Sequence, residues 1–143
     1  MMSESLPLNV LLVEDDDVAA ESVMRSMQRA GLPCPVTWVE DGQAALEVLR
    51  EQDAQRKAPR PRLILLDLNM PRMNGFEFLE AVRADPKLKE EVVFVLTTSS
   101  ADSDRSRAYD ENVAGYMVKS AVGPQFAKLT QLLDGYRRAV QLP

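Results

Sequence analysis

Short, nearly continuous runs of apolar residues recur along the chain at residues 8–13, 63–66 and 92–96. Such runs are typical of strands that are buried on both faces, whereas a half-exposed strand alternates apolar and polar positions. Two weaker runs, at residues 36–39 and 116–118, have the same character. The pattern therefore predicts five strands.

The segments between these runs carry apolar residues spaced three and four apart, which is the spacing of one helix face. One such segment ends at Gly31, a residue that is favoured just beyond a helix. Others follow Gly42, Gly75 and Pro124, and proline is favoured in a first helical turn. A helix is therefore predicted after every strand.

The last two predicted helices differ in their apolar content. The segment 102–112 is mostly polar, and only Ala108 and Tyr109 are candidates for its core side, so we expect this helix to be the most loosely held. The last helix carries a long apolar stripe, which consists of Phe126, Leu129, Leu133, Tyr136 and Val140.

Strict alternation of strand and helix predicts an α/β fold, a single doubly wound (βα)5 domain with a parallel sheet and helices on both faces. The 143 residues suit one domain, which we place at residues 8–140 between tails at 1–7 and 141–143, without a separate output domain. The long polar connection 52–62 contains four basic side chains. We interpret it as a solvated loop, with kinase docking as the alternative.

Composition and charge narrow the functional class. The hydrophobic fraction is 45% and the charged fraction is 27%, as in ordinary globular domains, and the net charge of −5 argues against direct nucleic-acid binding. The chain has no histidine and so cannot form a phosphohistidine itself. If the protein receives a phosphoryl group from a phosphohistidine, the donor must be another molecule. No apolar run is long enough to cross a bilayer and no secretory signal is present, so we expect a cytoplasmic protein.

Polar side chains directly follow four of the predicted strands. They are Glu14, Asp15, Asp16, Asp67, Asn69, Thr97, Thr98 and Lys119. One such residue could have an ordinary structural role, as Asp16 or Asp17 would have in capping the next helix. Because ligands bind beyond the carboxyl ends of parallel strands, the set as a whole indicates a functional site.

The chemistry of this set favours a magnesium site beside a phosphoryl group. Three carboxylates in one cleft would repel one another by up to roughly 4 kcal/mol per close pair at an effective dielectric constant near 20. A cation relieves that repulsion, and all-oxygen ligands favour Mg²⁺. A lysine and a threonine hydroxyl can hold a phosphoryl group there, and the carboxylate nearest the metal becomes a candidate nucleophile. Since no glycine-rich phosphate loop is present, that group must arrive already activated.

Four segments, VLLVEDDD, LILLDLNMPRMNGFEFL, VFVLTTS and GYMVK, together resemble the receiver domains of response regulators in two-component systems. The resemblance covers residues 8–136 and implies the strand order 2-1-3-4-5. It implies a phosphoacceptor switch rather than an enzyme, with at most slow autophosphorylation from small donors and slow autodephosphorylation. A sensor histidine kinase would phosphorylate Asp67. The long connection, the TTS run and the C-terminal extension look like the small receivers that partner bacterial phytochromes.

The resemblance also implies a role for each residue of the site. Mg²⁺ would be held by Asp15, Asp67 and the carbonyl of Asn69, with Glu14 acting through water. Thr97 would hydrogen-bond the phosphoryl oxygen and Lys119 would pair with it. Tyr116 would switch between exposed and inward rotamers.

One residue departs from the family pattern. Ser120 follows Lys119, where many relatives have a cis proline, so the loop is either trans and reshaped or cis and strained.

Two other functions remain open on sequence grounds. A haloacid dehalogenase-type phosphohydrolase is suggested by the D-x-D of Asp15 and Asp17, but past Lys119 the only acid is Asp134. A pseudo-receiver that is never phosphorylated is the other alternative.

We further expect a homodimer that forms through the fourth helix, the fifth strand and the fifth helix. The apolar stripe of the last helix could instead be only the core face that every helix on a parallel sheet needs. Val140 and Leu142 continue the apolar pattern past Arg137 and Arg138 and would lie exposed on a monomer, which favours the dimer.

Overall fold

The apolar runs form five strands of one parallel sheet in a computed structural model that describes residues 8–123 and 126–143. The strands are β1 Asn9–Val13, β2 Val36–Val39, β3 Arg62–Leu66, β4 Val93–Thr97 and β5 Gly115–Val118, in the order β2-β1-β3-β4-β5. The predicted fold class and strand order are confirmed. The N-terminal tail and Pro124 lie outside the described residues.

Five α-helices connect and follow the strands, and each agrees with a predicted stretch. They are α1 Asp17–Arg29, α2 Gly42–Leu49, α3 Gly75–Ala84, α4 Asp102–Asp110 and α5 Ala127–Ala139. A 3-10 turn, Lys119–Ala121, follows β5. Among the described residues, no helix combines the length and the apolar character that a membrane crossing needs.

Two cores lie on opposite faces of the sheet, because successive side chains of a strand point in opposite directions. In β1, Leu11 and Val13 pack with α2, α3 and α4, whereas Val10 and Leu12 pack with α1 and α5. Both faces of the central strands are therefore buried, which explains why their sequences are almost wholly apolar.

The expectation that the α5 stripe is a dimer surface is wrong for two of its residues. Leu129 and Leu133 are 0% exposed and belong to the core between α5 and the sheet, so they are not available to a second chain. Phe126 and Tyr136 pack on the same core, and the Tyr136 ring meets Phe94 edge-on at 5.3 Å. Val140 is 41% exposed.

The fourth helix is held by fewer apolar contacts than its neighbours. Ala108 is fully buried as predicted, but Tyr109 is 47% exposed, so its prediction as a core residue is wrong. The guanidinium of Arg107 instead covers the Phe76 ring, 4.1 Å from its centre.

The connection 52–62 is anchored to the domain rather than freely solvated. Arg56 pairs with Asp53 at 2.9 Å and with Glu40 at 3.0 Å. Arg62 is buried and binds the buried Glu91 carboxylate through two of its nitrogens, at 2.6 and 3.0 Å. The solvated-loop interpretation is therefore wrong for Arg62, whereas Lys57 and Arg60 are exposed as expected.

Candidate functional site

Three carboxylates meet at the carboxyl ends of β1 and β3. These strands are neighbours in register, with Val13 beside Leu66, so the residues that follow them lie side by side. One oxygen from each of Glu14, Asp15 and Asp67 lies within 4.8 Å of the others. Glu14 and Asp67 are only 3% and 7% exposed, whereas Asp15 is exposed.

Lys119 reaches this cluster from the end of β5. Its Nζ lies 2.5 Å from Glu14 Oε1 and 3.7 Å from Asp67 Oδ2. In the part of the chain that the structure describes, the one cis peptide bond joins Arg60 to Pro61, so the bond between Lys119 and Ser120 is trans. Of the two loop conformations considered from the sequence, the trans form is the one observed.

Burial and charge shift the pKa values of the Glu14 and Lys119 side chains. Burial raises the pKa of Glu14 from 4.5 to about 7. The hydrogen bond to Lys119 lowers this pKa but offsets only part of the effect of burial, and the nearby Asp67 carboxylate raises it further. Burial also lowers the pKa of Lys119, but its bond to Glu14 and the charge of Asp67 outweigh that effect and raise it overall. One lysine therefore does not neutralise the cluster.

The oxygen-rich cluster fits a divalent cation. Its carboxylates are hard ligands of the kind that Mg²⁺, Ca²⁺ and Mn²⁺ accept. A bound cation would favour the ionised form of Glu14, whose pKa burial raises. Asn69, the remaining predicted ligand, lies exposed in the loop after β3, and its N–H donates to Asp67 Oδ1 over 3.4 Å.

Hydrogen bonds connect the end of β4 with β5 through three residues, which are Thr97 at the end of β4, Ser99 just beyond it and Tyr116 on β5. Thr97 is fully buried, and its Oγ1 accepts from the Ser99 N–H at 3.4 Å. The Tyr116 hydroxyl donates to the Ser99 carbonyl at 3.0 Å, and its partly buried ring packs against the core. The Ser99 hydroxyl donates to Asp104 on α4 at 2.6 Å. Ser99 thus joins the buried threonine, the tyrosine and α4.

The sequence pattern did not identify several residues that shape the site. Gly75 allows the start of α3 to approach the backbone of Asp67 closely, because a Cβ there would lie only 2.7 Å from both the Asp67 carbonyl oxygen and Leu68 Cα. The Trp38 indole donates to the Glu14 carbonyl at 2.7 Å. Asp41 follows β2, and the strand-end rule that identified the other polar residues could have identified it too.

Comparison with known proteins matches residues 10–133 to the family described as "Response regulator receiver domain". The chain is 39% identical over 113 residues to the probable methanogenesis regulatory protein FilR2 of Methanothrix harundinacea. The aligned region covers 79% of this chain and 72% of FilR2. The chain is also 35% identical over 137 residues to response regulator Rcp1 of Synechocystis sp., and this alignment covers 95% of this chain and 93% of Rcp1.

Two solved structures extend the comparison to three dimensions. The Mn²⁺-bound form of Rcp1 superposes with a TM-score of 0.82 and 34% identity, covering 96% of this chain and 99% of that chain. The phosphorylated cyanobacterial phytochrome response regulator RcpA superposes with a TM-score of 0.79 and 34% identity, with the same coverage.

Proposed function

Because the chain belongs to the response regulator receiver domain family, we propose that Asp67 is its phosphoacceptor and that a sensor histidine kinase is the donor. The observation that carries the proposal is the position of Asp67, a buried carboxylate that belongs to the acidic cluster and lies 3.7 Å from Lys119 Nζ. The phosphohydrolase alternative has no support in the comparisons.

Each side chain has a defined task in the transfer. A carboxylate oxygen of Asp67 attacks the phosphorus of the kinase's phosphohistidine, so that a P–O bond forms as the P–N bond breaks and the imidazole leaves. Lys119 stabilises the charge on the phosphoryl oxygens, and the Thr97 hydroxyl donates a hydrogen bond to one of them. The chain acts as a switch with slow turnover, and the kinase or a small donor such as acetyl phosphate supplies the activated phosphoryl group.

The cation is proposed to be Mg²⁺. Asp15, Asp67 and the Asn69 carbonyl would hold it directly, and Glu14 would act through water. When bound, it supplies positive charge to the phosphoryl oxygens and to the crowded carboxylates.

The signal is proposed to leave the site through Thr97 and Tyr116. Thr97 binds Ser99, and Ser99 is also bound to Tyr116 and, through Asp104, to α4. A phosphoryl group that draws Thr97 toward Asp67 changes these bonds, and the population of α4 positions changes with them.

The proposed partners are a phytochrome-type histidine kinase and a second copy of the chain. The first rests on the likeness to Rcp1 and to the phytochrome response regulator RcpA. For the dimer, Tyr109 on α4 and Val140 at the end of α5 are exposed apolar side chains. Sedimentation of the wild type and of a Val140→Asp variant, with and without phosphodonor, tests it. Monomers throughout at tens of micromolar would contradict the dimer.

Mass spectrometry after treatment with acetyl phosphate tests the main proposal. The wild type should gain one hydroxylamine-labile phosphate in the presence of Mg²⁺, and Asp67→Asn should gain none. Asp110→Asn, which removes an exposed carboxylate at the end of α4, is the matched control and should behave as the wild type. Equal phosphorylation of Asp67→Asn would disprove the assignment. A wild type that is never phosphorylated would favour the pseudo-receiver.

A further inference from the structure

The loop between β3 and α3, residues 67–74, is held at its outer end against the start of α2. Two contacts hold it there: an ion pair between Arg72 and Asp41, and a hydrogen bond from the Gly42 N–H to the Met73 carbonyl at 3.2 Å. We refer to Asp41, Gly42, Arg72 and Met73 as the loop clamp.

Asp41 is a buried carboxylate with a partner for each oxygen. It is 1% exposed, Oδ1 accepts from the Ala44 N–H at 2.8 Å, and Oδ2 accepts from Arg72 Nε at 2.8 Å. Burial raises the pKa of Asp41, but the bonds from Ala44 and Arg72 outweigh it and lower the pKa overall, so the carboxylate stays charged. Arg72 thus binds a fixed anion rather than a mobile surface group.

The backbone geometry of the clamp is demanding. Arg72 has a φ of 63°, in the left-handed region that a residue with a Cβ seldom adopts. At Gly42, a Cβ would lie 2.9 Å from the Met73 carbonyl oxygen, so only glycine allows the loop to approach this closely. An unfavourable conformation at Arg72 persists because the surrounding contacts maintain it.

The loop carries Asn69, whose own contacts hold it only weakly. The inner end of the loop is fixed where the Gly75 N–H donates to the Leu68 carbonyl at 3.0 Å. Asn69 is exposed, and the bond from its N–H to Asp67 is long at 3.4 Å. Its neighbours Leu68 and Met70 are buried in the core and anchor the segment, and the loop clamp adds a second anchor at the outer end.

We infer that Asp41 and Arg72 are positioning residues for the divalent-cation site, which act by holding the loop so that the Asn69 carbonyl faces the acidic cluster. This inference rests on the proposed metal site. Residues that orient metal ligands typically change metal affinity by 10- to 100-fold when they are replaced. Because the Arg72 side chain is largely exposed, we expect a change near the lower limit, about tenfold.

Trp38 provides a direct measurement of cation binding. It is the single tryptophan of the chain, and its indole donates to the Glu14 carbonyl, next to the cluster. Mg²⁺ titrations followed by Trp38 fluorescence should give about tenfold weaker binding for Arg72→Ala than for the wild type. Arg72→Lys retains the charge and should bind with intermediate affinity. Arg50→Ala is the matched control. It removes a different ion pair, in which Arg50 Nε lies 3.2 Å from Asp85 Oδ2, at a site away from the loop.

A second readout separates positioning from a general loss of stability. The Mg²⁺ concentration for half-maximal phosphorylation by acetyl phosphate should rise about tenfold in Arg72→Ala, while the rate at saturating Mg²⁺ stays near that of the wild type. Arg72→Gly removes the same ion pair and relieves the left-handed backbone, so it should fold well and still bind Mg²⁺ weakly.

The outcomes distinguish the two proposals. A wild type that does not bind Mg²⁺ refutes the proposed metal site and the clamp together. If the wild type binds Mg²⁺ and both Arg72→Ala and Arg72→Gly bind it as tightly as the wild type does, the clamp alone is refuted. Lower thermal stability of the variants with unchanged Mg²⁺ affinity would assign the ion pair a purely structural role.

Discussion

Replacing Glu14 with glutamine should remove most of the pH dependence of stability of the metal-free protein near neutrality. The pKa of Glu14 in the folded protein is raised from 4.5 to about 7, mainly by burial. A carboxyl group with a raised pKa favours folding when it is protonated. Its stabilising contribution is therefore complete below pH 4.5 and is lost as the pH rises through 7.

The size of the effect follows from the size of the pKa shift. An increase from 4.5 to about 7 corresponds to on the order of 3 kcal/mol, lost mostly between pH 5 and pH 7. Few other side chains titrate in this window. The chain has no histidine, and the pKa of Cys34 is raised above 9.0 by burial. Carboxylates with lowered pKa values, such as Asp41 and Asp53, are already ionised at pH 5.

Urea unfolding in EDTA between pH 5 and pH 8, followed by Trp38 fluorescence, measures this contribution. The wild type should lose roughly 2 to 3 kcal/mol across the range. Glu14→Gln should be nearly flat, and at pH 8 it should exceed the wild type by about 1 to 2 kcal/mol, since it loses the charge of the Lys119 bond but keeps an acceptor. Millimolar Mg²⁺ should reduce the wild-type slope.

Two results would refute this reasoning. A wild-type stability that is constant between pH 5 and pH 8 would mean that burial does not raise the pKa of Glu14. A Glu14→Gln variant that retains the wild-type slope would mean that another group titrates in this range.

Two further predictions concern the cluster and the backbone behind it. Mg²⁺ should raise the melting temperature of the wild type, and Asp15→Asn should melt higher than the wild type without metal but bind Mg²⁺ more weakly. Scanning fluorimetry measures both, and a melting temperature indifferent to millimolar Mg²⁺ would contradict this site. Gly75→Ala should destabilise the protein by about 1 to 3 kcal/mol, because its Cβ would meet the Asp67 backbone at 2.7 Å. Gly135→Ala is the control, because no atom lies within 4 Å of the added Cβ on α5. In urea unfolding this change should stabilise the protein by about 0.5 to 1 kcal/mol. Equal effects of the two changes would refute the backbone contact at Gly75.

The strand pattern and the strand-end residues could be read from the sequence because both follow from local periodicity. A strand that is buried on both faces must be apolar throughout, and residues that follow parallel strands must lie at one edge of the sheet. Glu14, Asp15 and Asp67 were brought together by this rule, and the structure places one oxygen from each within 4.8 Å of the others. The order of the strands came from the family resemblance.

Periodicity could not say what covers an apolar face. The α5 stripe has the same spacing whether Leu129 and Leu133 face the sheet or a second chain, and only the packing of α5 on the sheet buries them completely. The polar helix α4 shows the converse, since Tyr109 fits an inward position by spacing alone but lies exposed.

The fold class and the edge of the sheet where the polar residues collect therefore follow from the pattern of the sequence alone. Tertiary structure decided the contacts between residues that are distant in sequence, such as Lys119 with Glu14, 105 positions apart, and Arg72 with Asp41, 31 positions apart. Local pattern cannot encode these contacts, because each depends on where the strands and loops place two side chains. The raised pKa of Glu14 belongs to the same class, since burial and neighbouring charge exist only in the folded chain.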